Sequence, residues 1–354
     1  MIAIHQQPQA INYSQNIPDI RLTTDQASIR MDVMEGEAVI VEEEYGAPPQ
    51  GTELVIKLCD LLENFMEFSM PVYSQAITTH DRAIKEFQIK LTDADEEPLQ
   101  ISFKVLQGFL RFQPTDIQSY HRDYWLNLTP FHSEVYFHQP LYLTAVPPVA
   151  VQVKLKATMI SGSEQIITLG SMTAGTMQSV NLNPGKLIHL LGAEYYYVEV
   201  YTENSRGEMV TGLKRLYYRG DYAYQSDVFF YQNRLGGWDT LVLNGDRINR
   251  HKSAAFTALI QDIEYEYHND LDLEIEKNSG YMATEEDYRQ YIDFLFSKRK
   301  YFLYQGALIP IVTSENKSDH TRGRLNSYSF IFRTANTKER HPEIGAVPPH
   351  LIIT

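Results

Sequence analysis

Acidic and imidazole side chains occupy every second position from 264 to 276: Glu264, Glu266, His268, Asp270, Asp272, Glu274 and Glu276. An oxygen-rich set of this kind could hold Ca²⁺, which draws on several carboxylate and carbonyl oxygens at once. Alternate residues of a strand, however, point the same way along a line and do not converge on a point. Between them lie Ile263, Tyr265, Tyr267, Leu271, Leu273 and Ile275, so the segment reads as a strand with one apolar and one acidic face. The acids are then a solvated outer face, paired with a basic strand such as the one carrying Arg322 and Arg324. Asn269 interrupts the apolar side, which predicts a bulge or turn at His268-Asn269-Asp270.

The other chemically capable residues converge no better. His121, His132 and His138 share one loop-rich stretch but lack the helical spacing of a metal motif. Ser318, Asp319 and His320 are consecutive, and adjacent residues cannot form the ordered hydrogen bonds of a nucleophilic triad. Arg219-Gly220-Asp221 reads as an inter-domain turn. LGGWDT (235–240) has a glycine pair without a phosphate-loop context. Cys59 is the sole cysteine, which excludes an internal disulfide and a cysteine-based zinc site. No catalytic, cofactor-binding or metal-ligating residue is assigned, no cofactor is expected, and the chain is not expected to be an enzyme.

Aromatic residues are the remaining candidates. The chain has 24 Tyr, including the runs Tyr195-Tyr196-Tyr197 and Tyr217-Tyr218. Tyrosine combines apolar area with a polar tip, which suits subunit interfaces and, on an outer sheet face, the stacking of sugar rings. Tyr195, Tyr197, Tyr201 and Trp238 are the candidate interface residues.

The elements that would carry them repeat. Residues 28–62 and 151–191 each read strand, turn, strand, Gly- or Pro-containing connection, strand, then a Leu-Leu step. Each is followed by a hairpin, KEFQIKLTDADEEPLQISFKVL in one case and YYYVEVYTENSRGEMVTGLKRLYY in the other. Phe87, Ile89 and Leu91 alternate with polar neighbours, as do Leu99, Ile101, Phe103 and Val105, the mark of half-buried strands. Residues 107–148 are aromatic and proline-rich and read as the end of the first module, a loop and a crossing strand. Pro147-Pro148 is the preferred boundary, since neither residue can donate to a ladder. RGDYAYQSD (219–227) is a second boundary.

Beyond it, VFFYQNRLGGWDTLVLNGD reads strand, Gly-Gly turn, strand, Asn-Gly turn. Thr284 followed by Asp287 resembles a capping box, with Tyr288, Tyr291, Ile292, Leu295 and Phe296 at helical spacing behind it. YFLYQGALIPIVT and NSYSFIFRTA close the domain as strands. The expected fold is mainly β: two immunoglobulin- or fibronectin-like sandwiches, then a mixed β-rich domain with one clear helix. The expected divisions are an arm at 1–20, sandwiches at 21–147 and 148–222, the mixed domain at 223–336 and a second arm at 337–354.

With 354 residues, two or three domains are the prior. A net charge of −14 argues against nucleic acid and anionic membrane as partners. The opening MIAIHQQPQAINYSQN has neither a basic nor an apolar region, so no secretory signal is expected, and no run is apolar and long enough to insert in a membrane.

Several segments in order resemble the tail-associated structural proteins of phages and prophages of Bacteroidetes-type bacteria: NYSQNIPDIRLTTD, IKLCDLL, HQPLYLTAVPP, VFFYQNRLGGWDTLVLNG, and the stretch from KRKYFLYQGALIPIVTSENKSDH to GRLNSYSFIFRTAN. FYQNRLGGWDT and LNSYSFIFRTAN are the most specific. The resemblance implies a virion component, assembled in the host cytoplasm, that contacts copies of itself and neighbouring tail proteins. The alternative is a carbohydrate-binding or adhesive β-sandwich protein.

Overall fold

The computed structural model describes residues 2–46, 49, 52–67, 69–93, 97–109, 124–220, 226–260, 263–282, 284–317 and 326–335. The expectations for His121, Asp221, Ser318-Asp319-His320, Arg322 and Arg324, and for an arm at 337–354, lie outside those residues.

The first half of the chain runs β1 (Ala3–Gln6), β2 (Ile11–Tyr13), β3 (Ile20–Thr23), β4 (Ser28–Glu35), β5 (Ala38–Gly46), β6 (Leu54–Ile56), helix α1 (Cys59–Glu63), β7 (Ile77–Thr79), β8 (Ile84–Thr92) and β9 (Leu99–Leu106). Two sheets form, with orders β1-β3-β6 and β2-β9-β8-β4-β5. Alternate residues such as Ile29, Met31, Val33, Phe87, Ile89, Leu91 and Phe103 fill the space between them, together with Ile20, Leu22, Ile56 and Leu62.

The second half repeats the plan. It runs β10 (His132–Val135), β11 (Tyr142–Ala145), β12 (Val151–Met159), β13 (Glu164–Met172), β14 (Gln178–Asn181), helix α2 (Pro184–Leu191), β15 (Tyr195–Glu203) and β16 (Lys214–Tyr218). The large sheet has the order β10-β16-β15-β12-β13, matching β2-β9-β8-β4-β5 strand for strand. In both, the first strand lies parallel to the last, β2 on β9 and β10 on β16, and every other pairing is antiparallel. The small sheet is β11-β14-β7. This is the immunoglobulin-like arrangement, with a short helix ahead of the penultimate strand. The Leu-Leu steps of the sequence repeat are those helices, so the chain has short α1 and α2 besides the expected one. Asn183 caps α2, accepting from the Lys186 N–H at 3.2 Å, and Gly192 ends it at φ 73°.

Three expected divisions need correction. Residues 1–20 are no free arm, because β1 and β2 belong to the two sheets of the first sandwich and Ile2 and Ile4 pack on its core. Pro147-Pro148 is no boundary either. It lies between β11 and β12, which face each other across the core of the second sandwich. A turn carrying the chain from one sheet to the other needs no ladder N–H, so proline is as welcome there as between domains. For the same reason β10 and β11 belong to the second sandwich and not to the first.

The third unit runs β17 (Asp227–Gln232), β18 (Trp238–Leu243), β19 (Arg247–Ile260), β20 (Ile263–Met282), helix α3 (Glu285–Phe296), β21 (Lys300–Tyr304), β22 (Ala307–Lys317) and β23 (Asn326–Thr334). These form one sheet in the order β18-β17-β21-β22-β23-β20-β19. The capping box is present: Thr284 accepts from the Asp287 N–H at 3.0 Å, and Asp287 accepts from the Thr284 N–H at 3.2 Å. The helix lays Tyr291 and Phe294 on Phe229, Tyr328 and Phe330 of the sheet. The irregularity in β20 falls at Tyr267, which is skipped between the pairs Phe256 with His268 and Thr257 with Glu266, one residue before the expected bulge.

Candidate functional site

The three units meet around the loop that joins β17 to β18, the FYQNRLGGWDT segment. Trp238 stacks on Phe230 at 4.9 Å, and Tyr13, Leu106, Leu126, Tyr142 and Met177 from the two sandwiches close the cluster. Glycines permit the approach of backbone to backbone. A Cβ on Gly236 would stand 2.3 Å from the Gln107 carbonyl oxygen, one on Gly237 2.3 Å from that of Leu126, and one on Gly108 2.7 Å from that of Arg234. Gly236 also needs its φ of 88°.

A buried polar network sits on this cluster. The Asp239 carboxylate accepts from Asn127 Nδ2 (2.7 Å), the Leu128 N–H (2.8 Å), Thr129 Oγ1 (2.9 Å) and Asn233 Nδ2 (2.7 Å). Four donors offset the cost of burying the charge. Asn127 Oδ1 accepts from the Thr144 N–H at 2.7 Å, and Thr144 Oγ1 bonds Ser179 Oγ at 2.7 Å. Ser179 Oγ bonds His80 Nε2 at 2.9 Å, and His80 Nδ1 bonds Ser69 Oγ at 3.1 Å. The Trp238 indole N–H donates to the Ser69 carbonyl at 3.2 Å, which closes the circuit. All three units thus contribute to one hydrogen-bonded ring. Burial pushes the His80 imidazole down to about 4, so it is neutral at physiological pH.

Ser179 bonded to a histidine is half of a nucleophilic triad. Here Ser179 is fully buried and His80 nearly so, and neither lines any of the three principal clefts. Among the described residues, none of these clefts opens on the pair. Its chemistry is that of a lock holding β7 and the 66–83 connection of the first sandwich on β14 of the second. The loop is also pinned to α3: Arg234 pairs with Asp293 at 3.1 Å and donates its N–H to the same carboxylate at 3.2 Å. Burial raises Asp293 to about 7 against the pull of Arg234.

Two of the four expected interface residues are corrected. Trp238 is inside the junction, 1% exposed, because the Gly-Gly turn folds it back onto Phe230. Tyr195 is likewise 1% exposed. A bulge skips Tyr196 between the pairs Thr158 with Tyr197 and Met159 with Tyr195, which turns Tyr195 into the core and Tyr196 out. Tyr197 and Tyr201 are half-buried on the outer face of the large sheet. There Tyr196, Tyr197 and Tyr217 touch ring to ring at 5.6–5.9 Å, with Arg215 over Tyr197 at 4.9 Å and held to Glu199. His132 joins this patch beside Tyr217, whereas His138 borders a cleft of about 620 Å³ near α2, so the structure does not bring these two histidines together. No group of three or more His, Cys, Asp or Glu able to hold a metal occurs among the described residues. No described helix is long and apolar enough to cross a membrane.

Sequence reasoning missed Asn127 and Thr144, each a polar residue between apolar neighbours, and Ser179 and His80, which sit among other polar residues in TMQSVN and ITTHDR. The signal available was Asp239 within the most specific motif.

No protein-family model and no curated protein matches the chain. Among solved structures it is similar to the calcium-binding domain CBD12 of CALX1.1, at 9% identity over 62% of this chain and 100% of that one, with a TM-score of 0.21. It is similar to the periplasmic chaperone SfaE at 13% identity over 62% and 100%, TM-score 0.19. The complex of Dpr2 Ig1-Ig2 with DIP-Theta Ig1-Ig3 matches at 9% identity over 94% and 89%, TM-score 0.18. Superpositions this loose carry no argument about partner or activity.

Proposed function

We propose that this chain is a non-enzymatic structural subunit of a larger assembly, a ring, tube or baseplate component of a phage or prophage tail, that contacts copies of itself and neighbouring tail proteins. The observation that carries the reading is the β19–β20 ribbon. Among the described residues, β23 pairs with β20 only from Ile275 onward, whereas β19 pairs with it as far as Ile263. Residues 263–274 therefore run beyond the rest of the described sheet as a two-stranded ribbon of about 40 Å. A ribbon of two strands is marginal in water and calls for a surface to lie on. The locked junction supports the reading, since a projecting element transmits position only from a rigid base. So do the segments FYQNRLGGWDT and LNSYSFIFRTAN, which carry the resemblance and supply the junction loop and β23.

The test compares the full chain with a variant in which residues 253–271 are replaced by Asn-Gly, which keeps Lys252 opposite Asp272, by light scattering and electron microscopy over rising concentration. Assembly of the full chain and its loss in the variant are expected. A full chain that stays monomeric and binds no neighbouring tail protein overturns the proposal. The outer-face cluster of exposed Tyr196 with half-buried Tyr197 and Tyr217 favours a second reading, carbohydrate binding. A glycan array without hits removes it.

A further inference from the structure

Helix α2 borders a cleft of about 620 Å³, the size of a typical small-molecule site. Its walls come from both sandwiches: residues 73–76 of the connection ahead of β7, and α2, β13 and residues 137–138 of the second sandwich. The first wall is held in place from β14. Asn181 Nδ2 donates to the carbonyls of Tyr73 at 2.8 Å and Gln75 at 3.3 Å, and the Asn181 N–H donates to that of Ala76 at 2.8 Å. Phe137, Leu169, Leu187 and Leu190 make the lining largely apolar, and Leu190 is left 57% exposed. On α2, Lys186 lies three and four residues before His189 and Leu190, so the three share one face of the helix over the cleft. His138 adds a second imidazole.

The charge of this lining sets it apart from the rest of the molecule. The chain carries 45 Asp and Glu against 31 Lys and Arg, yet no described carboxylate lines the cleft. Lys186 is half-buried, and its partners are neutral: the ammonium donates to the Tyr73 carbonyl and stands 3.9 Å over the Tyr73 ring. Burial lowers its pKa below the ordinary lysine value, as expected of a cation partly stripped of water. We propose that the cleft binds a small amphipathic monocarboxylate, its carboxylate on Lys186 and its hydrocarbon body on Phe137, Leu169, Leu187 and Leu190. A charge-assisted hydrogen bond at a partly dry site is stronger than the same pair in water. The exposed imidazoles of His138 and His189 offer further N–H donors. One lysine over an apolar bed suits a single negative charge, whereas a phosphate calls for more donors than the cleft holds. The bound acid touches residues of both sandwiches, so it stabilises their union by mass action.

The test uses the full chain, with octanoate as probe and 1-octanol as its uncharged counterpart, read by titration calorimetry and thermal unfolding. Octanoate is expected to bind at a single site and raise the unfolding temperature, and 1-octanol to bind about tenfold more weakly. Lys186→Met, which keeps the length and loses the charge, is expected to weaken octanoate about tenfold and leave 1-octanol unchanged. Lys186→Arg is expected to retain octanoate binding. Leu190→Glu, at a side chain already exposed, sets a rival carboxylate at the cleft and is expected to abolish it. A chain that binds no octanoate overturns the proposal. Equal affinity for octanoate and 1-octanol also overturns it, because the site is then merely apolar. Octanoate affinity unchanged in both Lys186→Met and Leu190→Glu overturns it as well, since the acid then sits elsewhere.

Discussion

The two sandwiches share every strand of their large sheets, the parallel closing strand and the short helix, yet they complete their small sheets differently. The first takes its outer strand, β1, from its own N-terminal segment, and among the described residues no strand pairs with the opposite edge, β6. The second has no counterpart of β1 among the described residues; there β11 lies against β18 of the third unit, and its opposite edge is taken by β7. Each edge of the second small sheet is thus covered from outside the module, whereas the first completes one side from its own segment and, among the described residues, pairs no strand on the other. The lesson is that topology alone does not make a repeat an independent domain. A sheet edge is a row of unmet N–H and C=O groups, and whichever segment meets them becomes part of the module.

This comparison can be broken at several strengths. The largest effect is expected from Asp239→Ala. Asn127, Thr129 and Asn233 would keep buried donors without their acceptor, a loss of about 3–5 kcal/mol read as a shift of the denaturant midpoint. The second sandwich and third unit should then unfold at lower denaturant than the first sandwich, splitting one transition into two.

The next effect is pH-dependent. His80 titrates near 4 in the fold and near 6.5 when unfolded, so between those values the unfolded chain holds the extra proton and stability falls with acid. The loss should reach about 3 kcal/mol on going from pH 6.5 to 4. Asp293, raised to about 7, tilts the other way over the same range, because there the fold holds the proton that the unfolded carboxylate lacks. The difference between wild type and His80→Gln, measured by thermal unfolding across that range, isolates the histidine. A difference that does not change with pH refutes the assignment.

Gly170→Val should cost about 1–2 kcal/mol, since the new side chain meets Ile77. Gly46→Val, toward the matching end of β5, where no described atom lies within 4 Å of the Cβ position, should cost less than about 0.5 kcal/mol. Equal costs at the two glycines would erase this difference between the modules. Between these two falls Asn183→Ala, which removes the cap of α2 and its bond to the Gln139 carbonyl for about 1 kcal/mol. The shorter α1 carries no side-chain cap, so no matching loss is available in the first sandwich.

Much of the fold was legible in the chain. Alternation placed β8, β9 and β20, and the Thr284 capping box placed α3, because period-2 and cap signals depend on a few neighbouring residues. The duplicated order of elements was legible too, though the Leu-Leu steps concealed two helices. Less could be read where pairing partners are distant. Ile77-Thr78-Thr79 is too short to show a period, and only β14, about a hundred residues on, makes it a strand. Of the four interface candidates, Tyr195 and Trp238 were misplaced for related reasons: a one-residue bulge and a glycine turn each reverse the direction of a side chain, and neither leaves a periodic trace.

The sequence by itself determined the β class, the repeat, the turns and the helix capped by Thr284, all set by contacts within a few residues. Only the tertiary structure decided where one module ends and the next begins. Module boundaries depend on which edge each strand completes and which buried donors Asp239 satisfies. Those choices are made between segments far apart in the chain, where the free energy of an unpaired edge or an unmet carboxylate outweighs any local preference.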